Sequence, residues 1–275
     1  MSDKVNRQRN LVIKNTLVLY VRMFITMGVS LYTSRLVLNA LGVVDFGIYN
    51  VVGGVVGMFG FLNVAMASST QRFLNYELGK GNISQLNKVF NASVTIHIII
   101  AIFILLLAET IGLWFLNNRL EIPDDKINAA NWVFQFSVLS SMISLIQVPL
   151  LATIIAYERM KVYAYISIVE AILKLLMALI LTWVLWEKLK TYAILMCSVA
   201  FIILSIYSIY CNRRISICKF YLVKDMTIYK ELTGFTGWNI FGGIVNILNT
   251  QGQNILLNIF GGPIVNAARG IAVQV

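Results

Sequence analysis

The sequence predicts an all-α, polytopic transmembrane helical bundle, and three observations carry that prediction. Of 275 residues, 59% are hydrophobic and only 12% charged, against about 25% charged in an ordinary soluble domain. So few polar groups cannot cover a surface that faces water. The apolar residues also fall in runs of about 20 or more, the length that crosses a hydrocarbon core of ~30 Å. Finally, the runs lack the alternation of barrel strands: Ile98 to Ala108 is apolar throughout, and an open sheet would leave backbone groups unpaired in lipid.

From the amino terminus, spans are expected at about 11–41, 47–69, 88–116, 131–156, 163–186, 191–211 and 234–260, with an eighth beginning near 264. The first and seventh exceed a straight crossing and must tilt, bend or protrude. Glycines 53, 54, 57 and 60 in the second span admit close helix approach. A polar connector from Tyr76 to Lys88, with a Gly-Lys-Gly-Asn turn, leads to the third span. Its sequon, Asn82-Ile83-Ser84, falls on the inner side and is discounted. His97, midway along the third span with no carboxylate nearby in sequence, reads as a packed or hydrogen-bonded residue. The outer loop of about 117–130 is too short for a catalytic domain, and Asp45, Asp124 and Asp125 suit solvated turns. Cys197, Cys211 and Cys218 lack CxxC spacing and read as small buried hydrophobes rather than a disulfide or metal set. The first apolar stretch is too long for a cleavable signal peptide. Nucleophile elbows, phosphate-binding glycine loops and His/Cys metal spacings are missing, so neither a catalytic residue nor a cofactor is expected.

A net charge of +10 would suit nucleic acid if it lay on one face. Here the cations cluster between apolar runs, which is the pattern of membrane-orientation signals. Fourteen lie on one side, in the tail (Lys4, Arg7, Arg9, Lys14), after span two (Arg72, Lys80, Lys88), after span four (Arg159, Lys161) and after span six (Arg213, Arg214, Lys219, Lys224, Lys230). Four lie opposite: Arg119, Lys126, Lys188 and Lys190. The positive-inside rule then puts the amino terminus in the cytoplasm, with the chain in an inner membrane. Trp114, Trp132, Trp186 and Trp238 near span ends suit an interfacial belt.

A repeat emerges at a shift of 219 residues, where Leu38, Asn39 and Gly42 match Leu257, Asn258 and Gly261. The shift maps the end of the long first span onto the end of the long seventh. Six spans per repeat preserve direction, so residues 1–230 are expected to form a six-helix lobe and 231–275 the first two helices of a parallel second lobe. Because that second lobe stops inside its second span, the sequence is expected to be a fragment of a longer transporter.

Polar residues interrupt the spans at spacings that gather them on faces. Asn15, Arg22, Thr26 and Thr33 share one face of span one. Arg22 lies about 11 residues, or ~16 Å, inside it, where a charge costs at least ~2.5–3.5 kcal/mol and needs a cavity or a partner. An anion contact and a structural ion pair both satisfy that need. Glu170 and Lys174 stand at i, i+4 in span five, where they neutralise each other or face substrate. Asn239, Asn246, Asn249 and Gln253 share a face of span seven, suited to amide bonds between helices or to sugar hydroxyls in a wet cavity. With Arg35 at the end of span one, the cavity candidates are Arg22, Thr26, Arg35, Glu170, Lys174, Asn246, Asn249 and Gln253.

At Arg35-Leu-Val-Leu-Asn-Ala-Leu-Gly-Val-Val-Asp-Phe-Gly-Ile-Tyr-Asn-Val-Val-Gly-Gly-Val-Val56 the sequence resembles bacterial polysaccharide and O-antigen flippases of the multidrug/oligosaccharidyl-lipid/polysaccharide exporter superfamily. The basic tail and Ser69-Thr-Gln-Arg-Phe-Leu-Asn75 add to the resemblance. It implies a two-lobe, MATE-like architecture about a central cavity, working by alternating access. It implies movement of undecaprenyl-diphosphate-linked oligosaccharide from the cytoplasmic to the periplasmic leaflet, for lipopolysaccharide, capsule or another surface polysaccharide. Spans one and seven would flank the cavity, and Arg22 would meet the diphosphate. The coupling ion, proton or sodium, stays open. A cation-coupled multidrug antiporter of the same superfamily is the alternative; it requires an intramembrane carboxylate, which span one lacks and Glu170 offers. A membrane polymerase or acyltransferase lacks its outer catalytic loop. Spans nine onward are missing, so this chain alone is not expected to complete a transport cycle.

Overall fold

The computed structural model describes the backbone of residues 2–272 and the side chains of those residues except 2–12, 61, 238–247 and 250. Among the described residues all regular structure is helical: α1 (Ser2–Leu41), α2 (Val43–Gly57), α3 (Gly60–Lys80), α4 (Ile83–Leu107), α5 (Leu113–Arg119), α6 (Ile127–Ala156), α7 (Met160–Trp183), α8 (Lys188–Arg214) and α9 (Met226–Ala272). A π turn, Ala108–Gly112, joins α4 to α5, and a 3-10 turn, Asp124–Lys126, precedes α6. Among those described residues six stretches are long and apolar enough to cross a membrane, or seven when the bent pair α2–α3 counts as one. In α1 the most apolar window has none of its residues buried inside the bundle, and Leu17 and Phe24 stand 62% and 67% exposed. Such an apolar exterior suits hydrocarbon rather than water.

The second span, expected unbroken over 47–69, is divided at Met58 and Phe59 and bent by 47°. The helix then runs on to Lys80, and α4 begins at Ile83, so the expected connector Tyr76–Lys88 is helical apart from two residues. Gly81 makes that turn at φ 69°, and Asn82 caps α4 by accepting from the Gln85 amide at 3.1 Å. Hydropathy falls at the membrane edge, but polar side chains on an exposed turn do not end a helix. The third span likewise continues through the π turn to Arg119, reducing the expected loop of 117–130 to residues 120–123 and the 3-10 turn. Asp45 is not a loop residue: it sits in the first turn of α2 and pairs with Lys126 at 3.0 Å.

At the other end of the chain, α9 is interrupted at Gly262 (φ 70°, ψ −174°), just before Pro263. Arg269 Nε donates to Asn254 Oδ1 at 2.6 Å. On a straight helix these residues would stand ~22 Å apart, so the chain folds back at Gly262 into two arms. The corner falls between the expected end of the seventh span and the expected start of the eighth. Gly42, between α1 and α2, has nearly the same backbone (φ 80°, ψ 169°). The repeat shift of 219 pairs Gly42 with Gly261, one residue short of this corner.

Taking the end where α1 begins as the tail side, one apolar core around Leu86, Phe90, Ile154 and Ile203 lies toward it. Another, around Ile48, Val52, Leu116 and Phe134, lies toward the far side. The main packing partners are α1 with α7, α2 with α9, α6 with α8 and α4, and α3 with α6 and α9. Asn91 on α4 binds the linker before α9, donating to Lys219 O at 3.2 Å and accepting from Tyr221 N at 2.9 Å.

Candidate functional site

Two cavities lie among α1, α2, α3, α6, α7 and α8. The tail-side cavity, about 630 Å³, is lined by Arg22, Thr26 and Thr33 of α1, Tyr163 and Ser167 of α7, and Tyr207 of α8. The far-side cavity, about 520 Å³, is lined by Tyr49 of α2, Asn63 of α3, Tyr192 of α8 and a row of serines on α6. Gln147, Glu170 and Lys174 line both. Those three residues therefore mark a waist between two compartments stacked through the thickness of the bundle.

Arg22 reaches its cavity because α1 rests on α7 and on little else. Its guanidinium lies 4.3 Å from the centre of the Tyr163 ring, a cation–π contact worth about 0.5–2 kcal/mol. Ring stacking satisfies no N–H, and Nε is buried without a hydrogen-bond partner. Among the described residues no carboxylate stands within 4.0 Å of it. The ion-pair explanation of Arg22 therefore has no support, and the side chain lines the cavity without a hydrogen-bond partner for Nε. Thr26 and Thr33 donate to the carbonyls of Arg22 and Val29 at 2.9 and 2.7 Å, so only their lone pairs are free.

Lys174 and Glu170 meet as expected, Nζ to Oε1 at 2.6 Å, with side chains 48% and 35% exposed. The pair is neutral as a unit yet accessible from both compartments. Of the remaining expected site residues, Arg35 is exposed and lines neither cavity. Gln253 donates to Asn249 at 2.7 Å on an exposed surface, again lining neither. Asn246 lies outside the described side chains, as do Asn239 and Trp238.

The inward face of α9 is carried instead by Gln251, Asn254 and Asn258. A Cβ on Gly54 would lie 3.1 Å from Gln251 Oε1 and 3.4 Å from Asn254 Nδ2, so the amides occupy the room left by the glycine. Asn254 donates to Gln251 at 2.9 Å, and Asn258 accepts from the Glu121 amide at 3.1 Å. Glycines on α2 thus decide which side of α9 turns inward, and spacing along α9 alone could not show it.

The sequence reading also missed the far-side lining. Ser137, Ser140, Ser141, Ser144 and Gln147 recur at 3, 1, 3 and 3 residues, a single-face pattern that was open to detection. His97, fully buried with Nδ1 2.7 Å from Ser93 O, lines neither cavity. The three cysteines are buried. A hydrogen bond with Cys211, together with burial, pushes the Cys218 thiol well up from its ordinary value.

A family model described as MatE matches residues 19–180, more than half of the chain, from just before Arg22 to the last turn of α7. Comparison with curated proteins returns no match, and neither does comparison with solved structures.

Proposed function

The chain belongs to the MatE family of membrane transporters, and on that premise we propose that it flips a lipid-linked oligosaccharide, an undecaprenyl-diphosphate glycan, from the cytoplasmic to the periplasmic leaflet. The observation that carries this reading is Arg22. The Arg22 guanidinium lines a cavity of about 630 Å³ with no carboxylate of the described residues within 4.0 Å of it and one donor unpaired. Guanidinium matches phosphate oxygens in a planar, bidentate geometry. In this reading the amino terminus is cytoplasmic in a bacterial inner membrane. Residues 1–230 form one lobe, 231–275 begin the second, and the lobes rock about the cavity to alternate access. The matching glycine corners at 42 and 262 support such a repeat.

The test is Arg22→Ala in the protein as expressed by its host. Losing one or two charge-assisted hydrogen bonds at about 1.5–3 kcal/mol each should lower surface-polysaccharide display at least ~10-fold, with the amount of protein in the membrane unchanged. Normal display would reject the anion site. Arg22→Lys keeps the charge but not the fork, and should restore display only in part.

One observation favours the antiporter alternative: Glu170 is open to both cavities. Against it stands the ion pair that already occupies this carboxylate. Drug-susceptibility profiling of a deletion strain separates the two, since efflux-dependent resistance would promote the antiporter.

A further inference from the structure

The far-side cavity has a lining about half polar and half apolar, and among its lining residues the only charges are the paired Glu170 and Lys174 at the waist. Along α6 the serine row and Gln147 all line it. Ser140 is the exception within the row, donating to Phe136 O at 2.7 Å. The hydroxyls of Ser137, Ser141 and Ser144 and the amide of Gln147 make no hydrogen bond to another described residue. From α3, Asn63 adds a buried Oδ1 that likewise lacks a partner.

Unmade hydrogen bonds at membrane depth are costly unless water or a ligand completes them. A face that served packing alone would return each hydroxyl to its own helix, as the buried Thr153 on α6 and Thr236 on α9 do. Hydroxyls and amides both donate and accept, so this wall offers both functions at close spacing and without net charge. Tyr49 and Tyr192, with ring centroids 4.6 Å apart, add flat apolar surface. A neutral polyol fits such a lining: its neighbouring hydroxyls donate and accept in turn, while its C–H faces are apolar. A lipophilic cation would find no unpaired carboxylate.

The geometry points to a division of labour in which the far-side cavity is a hydroxyl-recognising subsite for the glycan, separate from the Arg22 site that meets the diphosphate. This assignment deepens the flippase reading and rests on it. Its residues are Ser137, Ser141, Ser144, Gln147 and Asn63, with Gln147 at the waist.

The experiment uses the full chain in lipid nanodiscs with two separate probes, the first followed by saturation-transfer proton NMR and the second, which has no carbon-bound proton, by phosphorus NMR line broadening. One is oligosaccharide released by mild acid from the host's surface polysaccharide, and the other is inorganic pyrophosphate. The combined variant Ser137→Ala/Ser141→Ala/Ser144→Ala should weaken the oligosaccharide about tenfold or more and leave pyrophosphate unchanged. Arg22→Ala should do the reverse, and Ser140→Ala should leave both intact. Gln147→Leu, close in volume, gives a second variant should the triple one fold poorly. Oligosaccharide binding that survives both serine and glutamine variants overturns the subsite, as does its absence from the unmodified chain. Pyrophosphate binding that ignores Arg22 overturns the diphosphate site instead and leaves the glycan subsite standing.

Discussion

Arg22 and Lys174 are both cations set in apolar helices, but they are handled differently. Lys174 carries its own remedy one turn back in Glu170, a pairing that needs no other helix to form. Arg22 has no acidic residue within a turn of itself, and what the neighbouring helices bring is the face of Tyr163. The first arrangement was legible from i, i+4 spacing alone. The second was not, because an empty space beside a side chain depends on everything that fails to fill it. The exposure of the Glu170–Lys174 pair also bounds its contribution to stability. With side chains 35% and 48% exposed, solvent screening reduces it to about 0.5 kcal/mol. Glu170→Gln should therefore lower the thermal midpoint of the purified protein only slightly. A loss above ~2 kcal/mol would mean that the pair is sealed away from water.

The α2–α9 contact is decided by residues that have no side chain. A Cβ on Gly47 would overlap the carbonyl of Pro263, and one on Gly270 would lie 2.6 Å from the Asn50 amide. Gly47→Val should accordingly destabilise the protein by about 1–3 kcal/mol, since the obstacle is backbone and cannot rotate away. Gly28, on lipid-facing α1, has nothing within 4 Å of its would-be Cβ. Gly28→Ala should be neutral or stabilising by up to ~1 kcal/mol through helix propensity. Thermal-shift measurement of the two variants in one detergent checks the contrast, and equal midpoints would contradict the packing described here. The glycine-rich character of the second span was visible in sequence. Its partner was not, and neither was the bend at Met58 and Phe59, because hydropathy does not register where a continuous apolar run changes direction.

Across the whole molecule, the exposed apolar band and the separation of cations are properties of the solvent as much as of the chain. Trp183, Leu185 and Trp186, 86%, 90% and 82% exposed, cluster at the far-side end of α7 with Trp114 and Trp132 also exposed on that side, as an interfacial girdle requires. The tail side holds the greater share of Lys and Arg. Reporter fusions should therefore be active in the cytoplasm when joined at Asn82 and in the periplasm when joined at Trp186. The opposite pattern would invert the orientation, and the proposed direction of transport with it.

By itself the sequence determined the solvent, the helical class and the position of most spans, because bilayer thickness and backbone desolvation act on length and composition, which one dimension contains. It also located the charged residues that hydrocarbon would not tolerate without a reason. The tertiary structure alone decided which face of each helix meets a cavity, why Gln251 and Asn254 turn inward while Asn249 and Gln253 do not, and that two compartments join at Gln147, Glu170 and Lys174. Those outcomes depend on the shape of neighbouring helices, above all on where a missing Cβ lets another chain segment come close, and no periodicity within a single helix encodes that.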